Sequence, residues 1–416
     1  MIAQKIKRQT FALCSPIEIP IFSKAETPAS ALIVLKLLNG IRGGVLKIYL
    51  PDGSVQFAGD GQGQLISMHI HHSRVFGAVL KSGDIGFAES YIAGDWSSPD
   101  LVALLNLFVA NRKTMDDVIF GSWWGRLAYR IKHLLNRNTK TNSRKNIHAH
   151  YDLGNAFYQL WLDETMNYSS ALFEGNTQQS LPQAQHAKVR RALSMAGVQP
   201  GHRVLEIGCG WGALAEKGAA EFGAHVTGVT LSTEQLHYAQ DRLARQGLSE
   251  RADLRLQDYR DIADEPFDAI CSIEMIEAVG KEYWPTYFQT VQRLLKPGGR
   301  ACIQAITIRH DLFDRYLKST DFIQQYIFPG GCLLSPQIVE HQAAQAGLKV
   351  VDSLPFGKDY GLTCKLWRER FLAQRDAVLA LGFDERFMRI WEFYLAYCEA
   401  GFETGDIDVV QFTLSK

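Results

Sequence analysis

The residues with the clearest chemical potential are Glu206, Gly208 and Gly210, within Val204-Leu205-Glu206-Ile207-Gly208-Cys209-Gly210-Trp211-Gly212. Apolar residues and one acid lead into glycines at every second position, the pattern of a buried strand that passes through a tight turn into a helix. Glycines remove Cβ atoms, so a ligand can lie against the backbone at the carboxyl end of the strand, where α/β sheets bind ligands. The spacing G-x-G-x-G lacks the wider step of the dinucleotide fingerprint, and the acid stands just before the first glycine. The geometry is that of a nucleotide site, with a tight strand-to-helix turn that holds no ligand as the alternative.

Such a turn works only inside a sheet, and the flanking sequence supplies one. Segment 203–207 is the expected first strand, with a helix from Trp211 onward. Segments 224–230, 253–256, 267–272 and 300–308 read as further strands, with helices over 233–246 and 283–295. Regular alternation of strand and helix implies an α/β fold with a doubly wound parallel sheet and a cofactor across its strand ends. Beyond Arg309 the alternation is interrupted. Segment 311–330 reads as a helical insertion suited to act as a lid, 360–402 as aromatic-rich helices, and 409–414 as the last strand. An apolar insertion of that size over a small cofactor site suggests a long apolar substrate, with core packing the plainer reading for each aromatic taken singly.

Composition narrows the partners. Lys+Arg and Asp+Glu stand at 44 each in 416 residues, so no global field favours nucleic acid or an acidic partner. A hydrophobic content of 46%, with 22 Phe, 15 Tyr and 8 Trp, indicates a well-filled core. Seven cysteines without a C-x-x-C pair suggest neither a zinc site nor a disulfide framework, and point to a reducing cytoplasm. No 18 apolar residues run together, so the expected protein is soluble or peripheral at most.

Residues 1–115 read as a small mixed α+β domain, with strands at 44–50, 55–57 and 65–70 and helical spacing over 83–94 and 99–110. The clustered His69, His71 and His72 lack a carboxylate or Cys at ligand spacing, so no metal site is expected. Segment 116–145 is next: Arg126, Arg130, Lys132, Arg137, Lys140, Arg144 and Lys145 accumulate beside Trp123 and Trp124, without an acid from Val118 to Tyr151. This basic amphipathic helix and polar linker suits an anionic membrane surface or, equally, an interdomain helix with a solvated basic face. Residues 146–416 form the cofactor-binding domain.

Further motifs accompany the glycine turn: Gly86-x-x-Glu89-Ser90-Tyr91, His150-Tyr151-Asp152-Leu153-Gly154-Asn155, Tyr168-Ser169, Gly228-Val229-Thr230-Leu231-Ser232-x-Glu234-Gln235, Gln257-Asp258-Tyr259-Arg260, Phe328-Pro329-x-Gly331 and Asp359-Tyr360. Through them, from about Gly83 to the C-terminus, the chain resembles the cyclopropane-fatty-acyl-phospholipid synthase family, which includes the mycolic acid cyclopropane synthases. The resemblance implies S-adenosylmethionine as cofactor, with contacts at Tyr168, Ser169, Gly208, Gly210, Thr230, Leu231, Gln235, Gln257, Asp258 and Tyr259. Glu206 joins them, because the acid of this motif meets the amino-acid part of the cofactor in methyltransferases it resembles. The second strand ends in Thr230 rather than a ribose-binding acid, as it does in the family.

The resemblance also implies a reaction: methyl transfer to a cis double bond of a phospholipid acyl chain at the membrane surface, then loss of a proton from the carbocation as a cyclopropane closes. A methyl- or methylene-branched chain is the alternative product. A cation in an apolar tunnel needs anionic or electron-rich neighbours and a base near the methyl-bearing carbon. The family meets both needs with a bicarbonate held around a small apolar residue. The matching positions here are Ser170, Glu277, Gln304 and Tyr360, with Ile306 as the apolar residue; Ser and Gln stand where the family has Cys and His. Both can still hydrogen-bond an anion, so bicarbonate is a possible second cofactor. Cys398 also matches a family cysteine, a buried helical Cys being the equal reading. A nucleic-acid methyltransferase is disfavoured, since Glu274-Met275-Ile276-Glu277 stands where an N/D-P-P-Y/F tetrapeptide would follow the fourth strand. The expected location is cytoplasmic and peripheral at the inner membrane surface, with a homodimer as a possible assembly.

Overall fold

A computed structural model describes residues 28–113 and 153–416. The N-terminal part opens with the helix Ala29–Leu38, followed by β1 (Gly44–Tyr49), β2 (Val55–Gly59) and β3 (Gln64–Ile70). The Pro51-Asp52-Gly53-Ser54 turn folds β2 antiparallel onto β1, and the Asp52 carboxylate accepts the N–H and hydroxyl of Ser54. β3 lies parallel to β1, and the short β4 (Trp96–Ser97) completes the order β2-β1-β3-β4. Leu46 and Ile48 of β1 and Ile66, Met68 and Ile70 of β3 are buried while their neighbours are less so, the period-2 pattern of a sheet with one covered face.

The helical spacing expected from Gly83 turns out to be the second limb of a longer helix, Arg74–Ile92, kinked at Gly83 with φ 59° and ψ −130°. That conformation is open to glycine and strained for other residues. The third described helix of this part is Leu101–Ala110, begun by the Asp100 carboxylate, which accepts from the Ala103 N–H. His69 stacks on Tyr49 with ring centroids 4.3 Å apart, and His71 Nε2 lies 2.9 Å from Ser97 Oγ.

The larger sheet contains β5 (Arg203–Ile207), β6 (His225–Thr230), β7 (Ala252–Leu256), β8 (Phe267–Ile273), β9 (Leu295–Ile308), β10 (Lys349–Pro355) and β11 (Ile407–Ser415), in the order β10-β11-β9-β8-β5-β6-β7. Strands β5 to β9 pair in parallel, as their alternation with helices requires. β11 enters between β9 and β10, antiparallel to both, with Ile407 opposite Ile308 and Ser415 opposite Arg300. The doubly wound parallel sheet is therefore borne out over β5 to β9 and becomes mixed at one edge. β10 has no counterpart in the sequence reading, because its residues alternate between exposed and half-buried and carry Lys349, Asp352 and Ser353.

Helices cover both faces of this sheet. Val189, Leu193, Leu214, Leu236 and Leu243 pack with Val204, Val226 and Leu254 in one cluster. Phe288, Val291, Val339 and Ala343 pack with Leu205, Ile270, Ile303 and Phe412 in another. A third cluster joins Leu46, Ile48 and Leu104 of the N-terminal part to Phe157, Trp161, Trp367, Trp391 and Phe393. The helices Gly357–Ala373 and Glu385–Thr404 supply much of that aromatic layer. Phe157 alone meets Trp161, Phe371, Phe383 and Trp391 at centroid distances of 6.0, 6.3, 5.1 and 5.0 Å. Such pairs each add about 0.5–1.5 kcal/mol beyond area burial, so the layer is a stiff roof. Gly405, at φ 75°, ends the last helix and lets the chain reverse into β11. Among the described residues no helix is long and apolar enough to cross a membrane.

Candidate active site

The turn after β5 places Gly208, Gly210 and Gly212 at φ 89°, 50° and 83°. The alternate glycines are thus a conformational demand, since L side chains rarely adopt these angles. The N–H groups of Gly208 and Cys209 both donate to the Val229 carbonyl at 3.0 Å, tying the turn to the end of β6. A Cβ on Gly210 would meet nothing within 4 Å, because this glycine faces a cleft of about 170 Å³. Every residue assigned to the cofactor from sequence lines that cleft: Tyr168, Ser169, Glu206, Gly208, Gly210, Thr230, Leu231, Gln235, Gln257, Asp258 and Tyr259.

The polar groups of the cleft are organised in advance. Thr230 donates its hydroxyl to Gln235 Oε1 at 3.2 Å, and Asp258 holds Arg260 through two charge-assisted bonds of 2.8 and 2.6 Å. The fully buried Lys188 donates to Ser169 Oγ at 2.6 Å and Asn167 Oδ1 at 3.2 Å, and burial pulls its ammonium down to about 8. Glu206 is 3% exposed, and its Oε2 has no hydrogen-bond partner among the described residues; the same holds for the Tyr259 hydroxyl. Burial pushes the Glu206 carboxyl up to about 8, against the opposing pull of Lys188 and the Ala215 N–H. A buried acceptor without a partner is costly, and it asks for a cation. S-adenosylmethionine fits: an ammonium for Glu206, a hydroxyl for Tyr259, and a glycine floor against which the ligand can lie.

A second cavity, of about 370 Å³, adjoins the first. Its wall is mostly apolar and comes from both halves of the chain: Ile48, Met68, Phe76 and Phe108 on one side, Ile306, Leu312, Phe328 and Tyr394 on the other. The expected lid at 311–330 is two short helices, His310–Tyr316 and Phe322–Tyr326, and both contribute to this wall. Tyr168, Glu274 and Ala278 line both cavities, so the polar cleft and the apolar chamber meet at these residues.

Glu274 directly follows β8 at φ 49°, an angle rare for a residue with a Cβ and frequent at functional sites. Its Oε1 accepts the Ser170 N–H at 2.9 Å and Gln304 Nε2 at 2.7 Å, and its Oε2 accepts the Tyr360 hydroxyl at 2.6 Å. Three positions assigned from the sequence to the grip on an anion do converge, but they converge on a side chain of the protein. Ser170 takes part through its backbone only, because its hydroxyl donates to the Ala171 carbonyl at 2.9 Å. Gln304 is held from behind by Gln411 Nε2, 3.0 Å from its Oε1, and both Ser170 and Gln304 are fully buried.

Glu277 lines the apolar chamber with Ile306, Tyr360 and Cys398. Its Oε1 accepts the Ile306 N–H, while Oε2 has no partner among the described residues. Burial, and then the charge of Glu274, pushes the Glu277 carboxyl up to about 8. Cys398 is a wall residue whose thiol burial pushes up, away from thiolate chemistry. A bicarbonate does not fit this arrangement. The Ser170 N–H, Gln304 Nε2 and Tyr360 hydroxyl that would hold it are already spent on Glu274. Sequence reasoning quoted Glu274 only as part of a tetrapeptide that argues against nucleic acid. The signal that it does more was an acid at the end of an apolar strand, on the edge where ligands bind. The basic segment 116–145, with Trp123, Arg126, Arg130 and Lys132, lies outside the described residues.

Comparison with known proteins places this geometry. The profile of the mycolic acid cyclopropane synthetase family matches residues 138–412. The chain is 41% identical over 399 residues to the tuberculostearic acid methyltransferase of Mycobacterium tuberculosis, covering 93% of this chain and 92% of that protein. It is 35% identical over 343 residues to the cyclopropane-fatty-acyl-phospholipid synthase of Escherichia coli K12, covering 82% and 85%. Among solved structures, the mycolic acid cyclopropane synthase CmaA1 complexed with SAH and CTAB superposes with a TM-score of 0.62 at 35% identity, over 66% of this chain and 98% of that one. The resemblance read from the motifs is borne out, and the chain belongs to the mycolic acid cyclopropane synthetase family as an S-adenosylmethionine-dependent methyltransferase.

Proposed function

We propose that this enzyme transfers a methyl group to a cis double bond in the hydrocarbon chain of an unsaturated fatty acyl lipid. The observation that carries the reading is the shared wall: Tyr168, Glu274 and Ala278 face the cofactor cleft on one side and a mostly apolar chamber on the other. A chamber of about 370 Å³ lies within the range of small-molecule sites, roughly 300–1,000 Å³, and its lining suits hydrocarbon better than any polar acceptor. The bound cofactor supplies an electrophilic methyl group. The chain's residues do the rest: Glu206 and the glycine floor orient the methyl donor, Ile306 and Phe328 exclude water, and Tyr168 and Tyr360 set aromatic rings beside the developing cation.

Of the two fates of that cation, loss of a proton to leave a methylene branch has the better support. The relative that matches over 93% of the chain is a tuberculostearic acid methyltransferase, and the anion site differs from the one the family resemblance implies. Ring closure is the second reading, supported by the Escherichia coli relative. The lipid is reached from the cytoplasmic membrane surface, where the basic residues of segment 116–145 contribute attraction to anionic headgroups. Expression in a bacterium without its own synthase, followed by proton NMR of the extracted lipid, tests both levels. Exocyclic methylene protons support the first reading and cyclopropyl protons the second. An unchanged acyl profile, with the protein folded and cofactor bound, removes the acyl substrate altogether.

A further inference from the structure

We propose that Glu274 is the enzyme's built-in counter-anion and proton acceptor, so that catalysis needs no exogenous oxyanion. The inference rests on the acyl-chain reading above and deepens it at one side chain. Four observations converge on Glu274. It faces both cavities at the place where the methyl donor and the double bond must meet. Its carboxylate is fixed by three donors from three distant elements: Ser170 N–H, Gln304 Nε2 and Tyr360 OH. Its backbone holds φ 49°, a conformation that a purely structural residue would gain by giving up to glycine. Burial raises both carboxyls, but Glu274 has the Tyr360 hydroxyl, Lys188, the Ser170 N–H and Gln304 opposing that rise, whereas Glu277 has a single donor on Oε1 and none on Oε2 among the described residues.

The step balances without an oxidant or reductant. Methyl transfer breaks the sulfur–carbon bond with its electron pair left on sulfur, while the alkene π pair forms the new carbon–carbon bond and positive charge falls on the adjacent carbon. The Glu274 carboxylate faces that charge and takes one proton from the added methyl group. The freed C–H pair closes the ring directly. After a 1,2-hydride shift has moved the charge to the methyl-bearing carbon, the same pair instead forms the exocyclic double bond. In either case the proton passes from Glu274 to solvent once the chamber opens.

The experiment compares the full-length wild type with Glu274→Gln and Glu274→Gly, using vesicles of oleoyl phospholipid and carbon dioxide-depleted buffer. Glycine suits the backbone angle at 274, and cofactor binding by calorimetry reports whether each variant retains its fold. Wild type is expected to form methylated lipid at the same rate with and without added bicarbonate. Glu274→Gln should bind cofactor normally and lose roughly 10²–10⁴-fold in turnover, the usual contribution of a positioned base. Glu274→Gly leaves the three donors without their acceptor, so added bicarbonate or formate should restore activity in that variant alone. The readout independent of turnover is carbon-13 NMR of labelled bicarbonate, expected to show binding to Glu274→Gly and none to wild type. A wild type that binds labelled bicarbonate and stops without it overturns the proposal, as does Glu274→Gln at the wild-type rate. A wild type that methylates no unsaturated lipid counts against the substrate reading instead, while the bicarbonate titration still decides what occupies the anion place.

Discussion

Replacing Glu206 with Gln measures the electrostatics of the cofactor cleft. In the free enzyme, burial has pushed this carboxyl from 4.5 up to about 8, with Lys188, the Ala215 N–H and Arg242 opposing the shift. At about 1.4 kcal/mol per pH unit, ionising it inside the fold costs about 5 kcal/mol more than in the unfolded chain. The sign follows from linkage. A folded pKa above the unfolded one gives a contribution fully present below 4.5 and lost as pH rises toward about 8, because the unfolded chain releases its proton first. An ammonium placed against Oε2 reverses this, since an opposite charge at contact lowers a carboxyl by roughly 1–3 units. Cofactor binding near pH 7 should therefore expel most of one proton, and affinity should rise between pH 6 and 8 by up to about tenfold per unit. The ligand's own α-amino group, with a pKa near 7.7–8.0, sets the upper limit of that window. Calorimetry in two buffers of different ionisation enthalpy reads the released proton. Glu206→Gln should abolish both the buffer-dependent heat and the pH slope, and weaken binding at pH 8 by roughly ten- to a thousandfold. If the variant keeps the slope and the buffer-dependent heat of the wild type, Glu206 does not carry the cofactor's charge.

Further outcomes follow from the same geometry. Gly210→Val should eliminate cofactor binding by calorimetry while costing only about 1–2 kcal/mol of stability in a denaturant melt, because its side chain enters the open cleft and the strain is confined to φ 50°. Met68→Trp puts bulk into the N-terminal wall of the apolar chamber at a cost of about 1–3 kcal/mol, so mass spectrometry of products from mixed lipids should shift toward shorter acyl chains. An unchanged profile from the folded variant would take the N-terminal part out of the substrate path. Neutralising Arg126, Arg130 and Lys132 together should weaken sedimentation with anionic vesicles, and wild-type binding should fall with salt as charges are screened beyond about 8 Å at physiological ionic strength. Equal sedimentation of variant and wild type would assign the segment to a connecting role.

The sequence by itself determined the elements whose information is local. Gly208, Gly210 and Gly212 announced the turn because each must take a positive φ that side chains resist. The alternation of apolar strands with amphipathic helices from Arg203 to Ile308 determined a parallel sheet, since parallel neighbours need a crossover between them. That Gly208, Thr230 and Asp258 would share one cleft was legible for the same reason: they stand at or just beyond strand ends, and the strands alone bring them to one edge. Tertiary structure decided what depended on distant partners. The antiparallel entry of β11 is set by its pairing with β9, a hundred residues earlier in the chain, and no local pattern in Val409-Val410-Gln411-Phe412 reveals it. The apolar chamber needed both halves of the molecule, because Met68 and Phe108 complete a wall that Ile306 and Phe328 begin. Glu274 is the sharpest case. Its donors lie 104, 30 and 86 residues away, and only their convergence distinguishes this carboxylate from Glu277 three positions on. Residue type told which groups could hold an anion; packing decided that three of them close on a carboxyl group of the protein itself.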